Sequence, residues 1–275
     1  MNLRDSLKQS CDVYYYDLAV KVGIEKISAM ANRFGLGMRH DIPMSAVARG
    51  LTPTKAWKVL NRGENWVVGD TVNASIGQGY LLVSPLQLCV MTARLATGRS
   101  VTPRLIKSVD GVEQPSGRGS DLGMDPGNLS IMRQAMYDVV NDRRGTAYGS
   151  RIIEETMRMA GKTGTSQVRN ITAAERARGV VNNSDLPWER RDHALFVNFA
   201  PYDRPRVAVA VVVEHGGGGS TTAAPIARDV TLQALYGKAP PLEAYPTKDR
   251  DFIRTQQRVL RDIRPVANIN GQDQA

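Results

Sequence analysis

The sequence predicts an α+β fold: helices first, then an antiparallel sheet, then a closing helix. Two observations carry that expectation. In separate segments up to residue 142 (3–18, 24–34, 84–98 and 128–142) apolar side chains or end signals follow the helical pattern. From residue 157 the period shortens to two, most plainly where Val207, Val209 and Val211 alternate with Ala208 and Ala210. A chain of 275 residues with 42% hydrophobic and 23% charged side chains is long and apolar enough for a sizeable core, which excludes global disorder. Its longest wholly apolar stretch, residues 207–213, is too short to span a bilayer as a helix. No apolar core follows Met1-Asn2-Leu3-Arg4-Asp5 to make a signal peptide.

Leu3, Leu7, Cys11, Tyr14 and Leu18 share one helical face, and Gly23 breaks the pattern. A second helix is expected over residues 24–34, with Ile27 and Met30 on its face and Gly35 as its stop. Residues 36–83 are rich in turn formers but carry Trp57, Trp66 and Tyr80, so they read as a long excursion and not a linker. Ser84-Pro85 opens a well-marked helix that Gly98 ends. Residues 110–127 are polar and Gly-rich, hence loop, and 128–142 return to helix with Leu129, Met132, Met136, Val139 and Val140 on one side. Strands are expected over 157–168, 193–200 and 206–215, the last two joined by the turn Pro201-Tyr202-Asp203-Arg204-Pro205. A helix over 222–236 stops at Gly237. Residues 238–275 are polar and Pro-spotted; they read as a largely disordered tail, with one short amphipathic helix at Phe252, Val259, Leu260 and Ile263.

The formal charge is +9, from 36 basic and 27 acidic residues. No Lys/Arg run exceeds two residues, so the excess is diffuse, and phosphate tracking needs clustered cations. Nucleic acid is therefore not an expected partner. Cys11 and Cys89 make no CxxC pair, and His40, His193 and His215 stand apart, so no metal or cofactor is expected.

The chemistry concentrates at two short elements. Lys162-Thr163-Gly164-Thr165 lies inside the first expected strand, where a mid-strand Gly marks a bulge or the close approach of a ligand or another backbone. The pleat turns Thr163 and Thr165 to one face, and a lysine flanked by two hydroxyls is a good carboxylate cradle. Taken alone, the tetrapeptide reads more readily as an ordinary exposed edge. Ser10-Cys11-Asp12 lies within the first helical stretch and, alone, reads as solvated side chains or a cap. Together the two elements match two of three motifs of penicillin-recognising serine acyltransferases.

On these residues the chain resembles the transpeptidase domain of class B penicillin-binding proteins, in their penicillin-binding protein 2 branch. The resemblance also rests on Gly69-Asp70-Thr71, Ile76-Gly77-Gln78-Gly79-Tyr80, Ser84-Pro85-Leu86-Gln87, Gly145-Thr146-Ala147, Gly161 through Val168, Arg191-Asp192-His193 and Phe199-Ala200-Pro201-Tyr202. These elements cover nearly all of 1–237 in the family's order, and 238–275 lie beyond them. The resemblance implies the penicillin-binding/serine β-lactamase-like fold, an antiparallel sheet with helices on both sides. It implies peptidoglycan D,D-transpeptidation on D-Ala-D-Ala stem peptides through an acyl-enzyme that β-lactams also form. It would make Ser10, Asp12, Lys162 and Thr165 catalytic, and Lys162, Thr163, Gly164 and Thr165 substrate-binding. Stem peptides, β-lactams and a SEDS-family glycosyltransferase are the implied partners, and the periplasmic side of a bacterial inner membrane the implied location.

One departure stands out. The family's nucleophile belongs to a Ser-x-x-Lys motif upstream of Ser-x-Asn/Asp, and none of the 15 serines here has Lys at the third following position. Nine residues precede Ser10, too few for that motif or for the two strands the family places before it. The expectation is a transpeptidase domain over 1–237, incomplete at its N-terminal side and inactive by itself. Two other readings are a β-lactamase or β-lactam sensor of the same superfamily, or a non-catalytic stem-peptide binder. Asp12 stands where most of the superfamily has Asn, as it does in the penicillin-binding protein 2 branch.

Overall fold

The structure, a computed structural model, describes residues 1–115, 117–169 and 171–263. Its opening corrects the helical reading of the first 18 residues. The apolar spacing continues through Cys11, yet the chain forms two helices, α1 (Leu3–Gln9) and α2 (Asp12–Val22), parted at Ser10. Ser10 has φ 53° and ψ 55°, the left-handed conformation that ends many helices. Its N–H donates to the Leu7 carbonyl at 3.2 Å and the Cys11 N–H to the Ser6 carbonyl at 2.9 Å. That pair of bonds satisfies the last carbonyls of α1, at a position where Gly is the usual occupant. Periodicity does not report such a break, and of the five spaced residues Leu18 ends up exposed while Ala19 is buried.

Helix α3 (Ile24–Arg33) follows the turn at Gly23 as expected. The excursion then contains two short helices, α4 (Lys55–Arg62) and α5 (Val68–Ser75), which the turn-rich composition hides. Each is started by a polar cap: the Thr54 hydroxyl accepts from the Trp57 N–H at 3.1 Å, and the Asp70 carboxylate accepts from the Val67 N–H at 2.9 Å. An aromatic cluster holds them together, with Tyr80 5.3 Å from Trp57 and 6.5 Å from Trp66 between ring centroids. Helix α6 (Pro85–Thr97) has the ends its sequence announces. Ser84 and Gln87 cap each other reciprocally at 3.2 and 3.0 Å, Pro85 opens the first turn, and Gly98 closes the helix at φ 68°. The wholly buried Gln87 amide also donates to the Met38 and Arg49 carbonyls, fastening the excursion to this helix.

A two-residue hairpin, β1 (Ser108–Val109) with β2 (Val112–Glu113), interrupts the polar loop. Helix α7 (Pro126–Asn141) begins two residues earlier than its apolar spacing suggests, because Asp125 caps it. The main sheet is antiparallel in the order β3 (Ala160–Ser166), β4 (His193–Ala200), β5 (Val207–Val213). A short helix α8 (Ala173–Arg178) lies between β3 and β4. After β5, a turn of π-helix over Gly219–Ala223 leads into α9 (Ala224–Tyr236).

Strand β4 sets the two cores through its alternation. Ala194, Phe196 and Ala200 belong to the core with Ala224, Ala227 and Leu232 of α9; Val197 and Phe199 meet Ala96 of α6 and Met136 of α7. Phe196 and Phe199 are wholly buried, so truncating either to Ala costs about 3–5 kcal/mol.

The reading of 238–275 as a largely disordered tail needs correction over residues 238–263. Ala244, Tyr245 and Ile253 join the α9 core, and α10 (Arg250–Ile263) follows. The buried Arg228 guanidinium ties this segment down, donating to Asp249 at 2.5 Å with its cation 5.1 Å from the Tyr245 ring centroid. Three buried anchors in a polar sequence escape a composition reading. Phe252, Val259 and Leu260, expected as the apolar face, are exposed, and Ile253 is the buried contact instead. The side chain of Ile263 and all of residues 264–275 lie outside the described residues. No helix among the described residues is long and apolar enough to cross a membrane.

Candidate functional site

At the break in the first helix the Ser10 side chain meets β3. The Lys162 ammonium donates to Ser10 Oγ at 2.8 Å, joining two sequence elements 152 residues apart. It also donates to its neighbour's carbonyl, Thr163 O, at 2.8 Å. These groups line a cleft of about 480 Å³ together with Asp12, Tyr15, Gln78 and Thr165. All the residues singled out from the sequence, Ser10, Asp12, Lys162, Thr163, Gly164 and Thr165, face this one space.

The backbone of β3 follows from the same contacts. In an antiparallel ladder, the N–H and C=O of one residue point to the same side, and successive residues alternate sides. Thr163 O accepts from Lys162, and Thr165 O accepts from the Gln78 side-chain amide at 3.0 Å, so both residues direct their peptide groups away from β4. The Thr165 N–H therefore points into the cleft. Gln78 belongs to the Ile76–Tyr80 stretch, and its role as a brace for this strand is visible only in three dimensions.

A Cβ at Gly164 itself would meet only the Leu195 Cβ, at 3.3 Å, so the fold does not demand a glycine there, although a backbone does come close to this residue. The approaching residue is Gly219, on the π-helical turn: a Cβ there would lie 2.4 Å from both Gly164 O and Leu195 O. A third glycine, Gly161, passes under Phe196, whose ring atom would stand 2.5 Å from an added Cβ. Gly161 and Gly219 thus allow the strand to pack closely against Phe196 and the π-helical turn.

Burial dominates the electrostatics. Withdrawal of the Lys162 ammonium from water lowers its pKa from 10.5 to about 8, with the nearby Asp12 carboxylate pulling weakly the other way. An amine poised near neutrality can both hold and give up a proton at pH 7–8. Asp12, exposed at the first turn of α2, lines the same cleft.

Other candidates fall outside. His193 opens β4 opposite Ser166 and uses its Nδ1 to accept the His215 N–H at 2.9 Å, with the two rings 4.7 Å apart. That contact shapes the turn after β5, in keeping with a structural role. Cys11 and Cys89 are free thiols, and among the described residues no cluster of His, Cys, Asp or Glu is suited to a metal. Thr146 was legible only as part of Gly145-Thr146-Ala147; its hydroxyl lies 2.9 Å from that of Thr163.

Three comparisons bear on this geometry. The family model of the penicillin binding protein transpeptidase domain matches residues 1–232. The chain is similar to the peptidoglycan D,D-transpeptidase MrdA of Haemophilus influenzae, 34% identical over 250 residues that make up 89% of this chain and 38% of that protein. Its fold matches PBP2 of Pseudomonas aeruginosa, crystallised in complex with WCK 5153, with a TM-score of 0.70 and 36% identity over 86% of this chain and 47% of the other. It matches Helicobacter pylori PBP2 in complex with MreC with a TM-score of 0.71 and 31% identity, over 86% of this chain and 40% of that one. The chain thus spans well under half the length of the curated relative it matches.

Proposed function

The chain belongs to the penicillin binding protein transpeptidase family, and from that premise we propose that its cleft is the Ser10–Lys162–Thr165 part of a peptidoglycan D,D-transpeptidase centre. Its substrates are stem peptides ending in D-Ala-D-Ala, and β-lactams occupy the same space. The observation that carries this reading is the 2.8 Å contact between the Lys162 ammonium and Ser10 Oγ at the edge of a strand bearing two threonines.

Each residue has a physical task. Lys162 and the hydroxyls of Thr163 and Thr165 bind the terminal carboxylate, a charge-assisted contact. Once bound, the peptide lies along the free edge of β3 with its penultimate carbonyl near the Thr165 N–H. That N–H stabilises the oxyanion formed on attack, a donor worth about 3 kcal/mol in comparable sites. Ser10 passes a proton between Lys162 and the departing D-Ala amine, and the amine of Lys162 can hold it because burial has lowered its pKa to about 8. The Asp12 carboxylate acts against burial, favouring the charged form of that lysine. The acylated serine is that of the Ser-x-x-Lys motif, and none of the 15 serines in this sequence stands in such a motif. The chain alone therefore binds and orients, and does not form a stable acyl-enzyme. The site acts on the periplasmic face of the inner membrane beside a SEDS-family glycosyltransferase.

Titration with an acetylated peptide ending in D-Ala-D-Ala, followed by amide NMR, tests this. Saturable shifts at Gly164 and Thr165 that Lys162→Ala abolishes are expected, with no stable fluorescent-penicillin adduct. Absence of binding at millimolar peptide would refute the substrate assignment. A stable penicillin adduct on this chain would refute the assignment of the nucleophile.

A further inference from the structure

We infer that Thr146 is a positioning residue for this site: through its hydroxyl it orients the Thr163 hydroxyl toward an anionic substrate group. The inference deepens the transpeptidase reading and rests on it for the identity of the substrate, but not for the hydrogen bond itself.

Thr146 stands at a junction of three elements. Its Oγ1 is 2.9 Å from Thr163 Oγ1 on β3. Its N–H donates to the Lys8 carbonyl at 3.3 Å, two residues before Ser10 at the end of α1. The turn that carries it packs on the last turns of α7 at Gly145, where a Cβ would lie 2.3 Å from the Asp138 and Val139 carbonyl oxygens. Lys8 reinforces the junction from α1, reaching Asp142 at 3.3 Å and Asp5 at 2.8 Å. One residue thus links the helix that presents Ser10 to the strand that presents Lys162.

Either hydroxyl can donate in the Thr146–Thr163 pair. An anionic group in the cleft, which only accepts, selects the arrangement in which Thr146 donates to Thr163 Oγ1. The Thr163 oxygen also faces the Lys162 ammonium, at 3.5 Å. With its oxygen accepting from Thr146 and turned to a cation, Thr163 has its own proton free for the cleft. A carboxylate accepts hydrogen bonds only, so a proton aimed at it is what recognition requires. Without Thr146, the Thr163 hydroxyl is free to rotate and to accept more strongly from Lys162.

Two measurements on this chain test the assignment, using Thr146→Val, Thr146→Ser and Thr163→Val. The first follows the Lys162 amine across pH by NMR of labelled lysine; Asp12 is the charged neighbour whose contribution stays constant. Thr146→Val should raise the Lys162 midpoint by about half a pH unit, the size of one modest hydrogen bond, and Thr146→Ser should restore it. In a Thr163→Val background the Thr146→Val change should have no effect on the midpoint. The second is affinity for the D-Ala-D-Ala peptide, expected to fall about fivefold in Thr146→Val and to recover in Thr146→Ser. An unmoved midpoint in Thr146→Val, or a shift that Thr146→Ser fails to reverse, would overturn the positioning role. If the wild-type chain binds no peptide, the transpeptidase reading fails, while the midpoint still decides the role of Thr146. Should Thr146→Val not fold, Thr146→Ala takes its place with the same two readouts and the same reversal by Thr146→Ser.

Discussion

Lys162 should make this protein less stable at neutral pH than at alkaline pH. Its amine titrates near 8 in the folded chain because burial opposes the charge, against 10.5 when the chain is unfolded and solvated. Between those values the unfolded chain binds a proton that the folded chain does not, so stability rises with pH through this window. Below about pH 8 the lysine is charged in both states and the full penalty is present. A drop from 10.5 to about 8 corresponds to about 3 kcal/mol at 1.36 kcal/mol per pH unit. Other groups titrate in the same range, the tyrosines above all, so the clean quantity is a difference. Lys162→Met keeps the length and apolar stem of the side chain and removes its proton. Urea unfolding of both proteins at about pH 7 and about pH 11 should show wild type gaining about 3 kcal/mol on the variant, the rise beginning near pH 8. At pH 7 the variant loses the bonds to Ser10 and Thr163 O, so the sign of the difference at one pH decides little; its slope decides. A difference that stays flat between the two conditions would refute the argument and return Lys162 to the ordinary lysine range.

Three further substitutions probe the frame of the site. Ser10→Gly relieves a left-handed backbone at φ 53° and should stabilise the chain by about 1 kcal/mol in urea unfolding, while removing the Lys162 partner and weakening peptide binding. Equal or lower stability would mean that Ser10 is not strained. Gly219→Ala places a methyl 2.4 Å from two carbonyl oxygens of the sheet and should cost about 2 kcal/mol or more, with amide shifts concentrated at Gly164 and Thr165. Shifts confined to the turn itself would show that Gly219 does not support the strand. Gln78→Ala removes the brace on Thr165 O and should cost about 1 kcal/mol or less, read as faster hydrogen exchange at the end of β3 with the rest of the sheet unchanged.

The fold was legible where local chemistry and tertiary packing agree. Helix α6 announces itself through Ser84, Pro85, Gln87 and Gly98, each of which does in three dimensions what its residue type favours. The valines of β5 and the turn before it are equally plain. Illegible were features whose cause is remote in sequence. Helices α4 and α5 depend on Tyr80 sitting between two tryptophans, and on Lys58 reaching Asp70 at 2.8 Å. The segment after α9 depends on Arg228 meeting Asp249 and Tyr245. A window of a dozen residues does not hold both members of such a pair.

The site was legible differently. Its residues came from a resemblance, since neither Ser10-Cys11-Asp12 nor Lys162-Thr163-Gly164-Thr165 carries a local signal stronger than a solvated edge. What the sequence conceals is the setting in which the structure places them. Ser10 reads as one more residue of an amphipathic helix, yet it occupies the one backbone position there that strains an L-residue. Lys162 reads as a surface cation on an edge strand, yet burial takes its amine to about 8. Both features oppose stability, and both meet in one hydrogen bond of 2.8 Å. Such local violations survive where the surroundings over-determine them, and here the surroundings are specific: the Gly219 turn beneath the strand, the Gln78 brace at its end, and the Thr146 junction between strand and helix. None of the three is itself chemically reactive in this cleft, and substitution at any of them tests whether the strain at Ser10 and the burial of Lys162 are imposed from outside the two motifs.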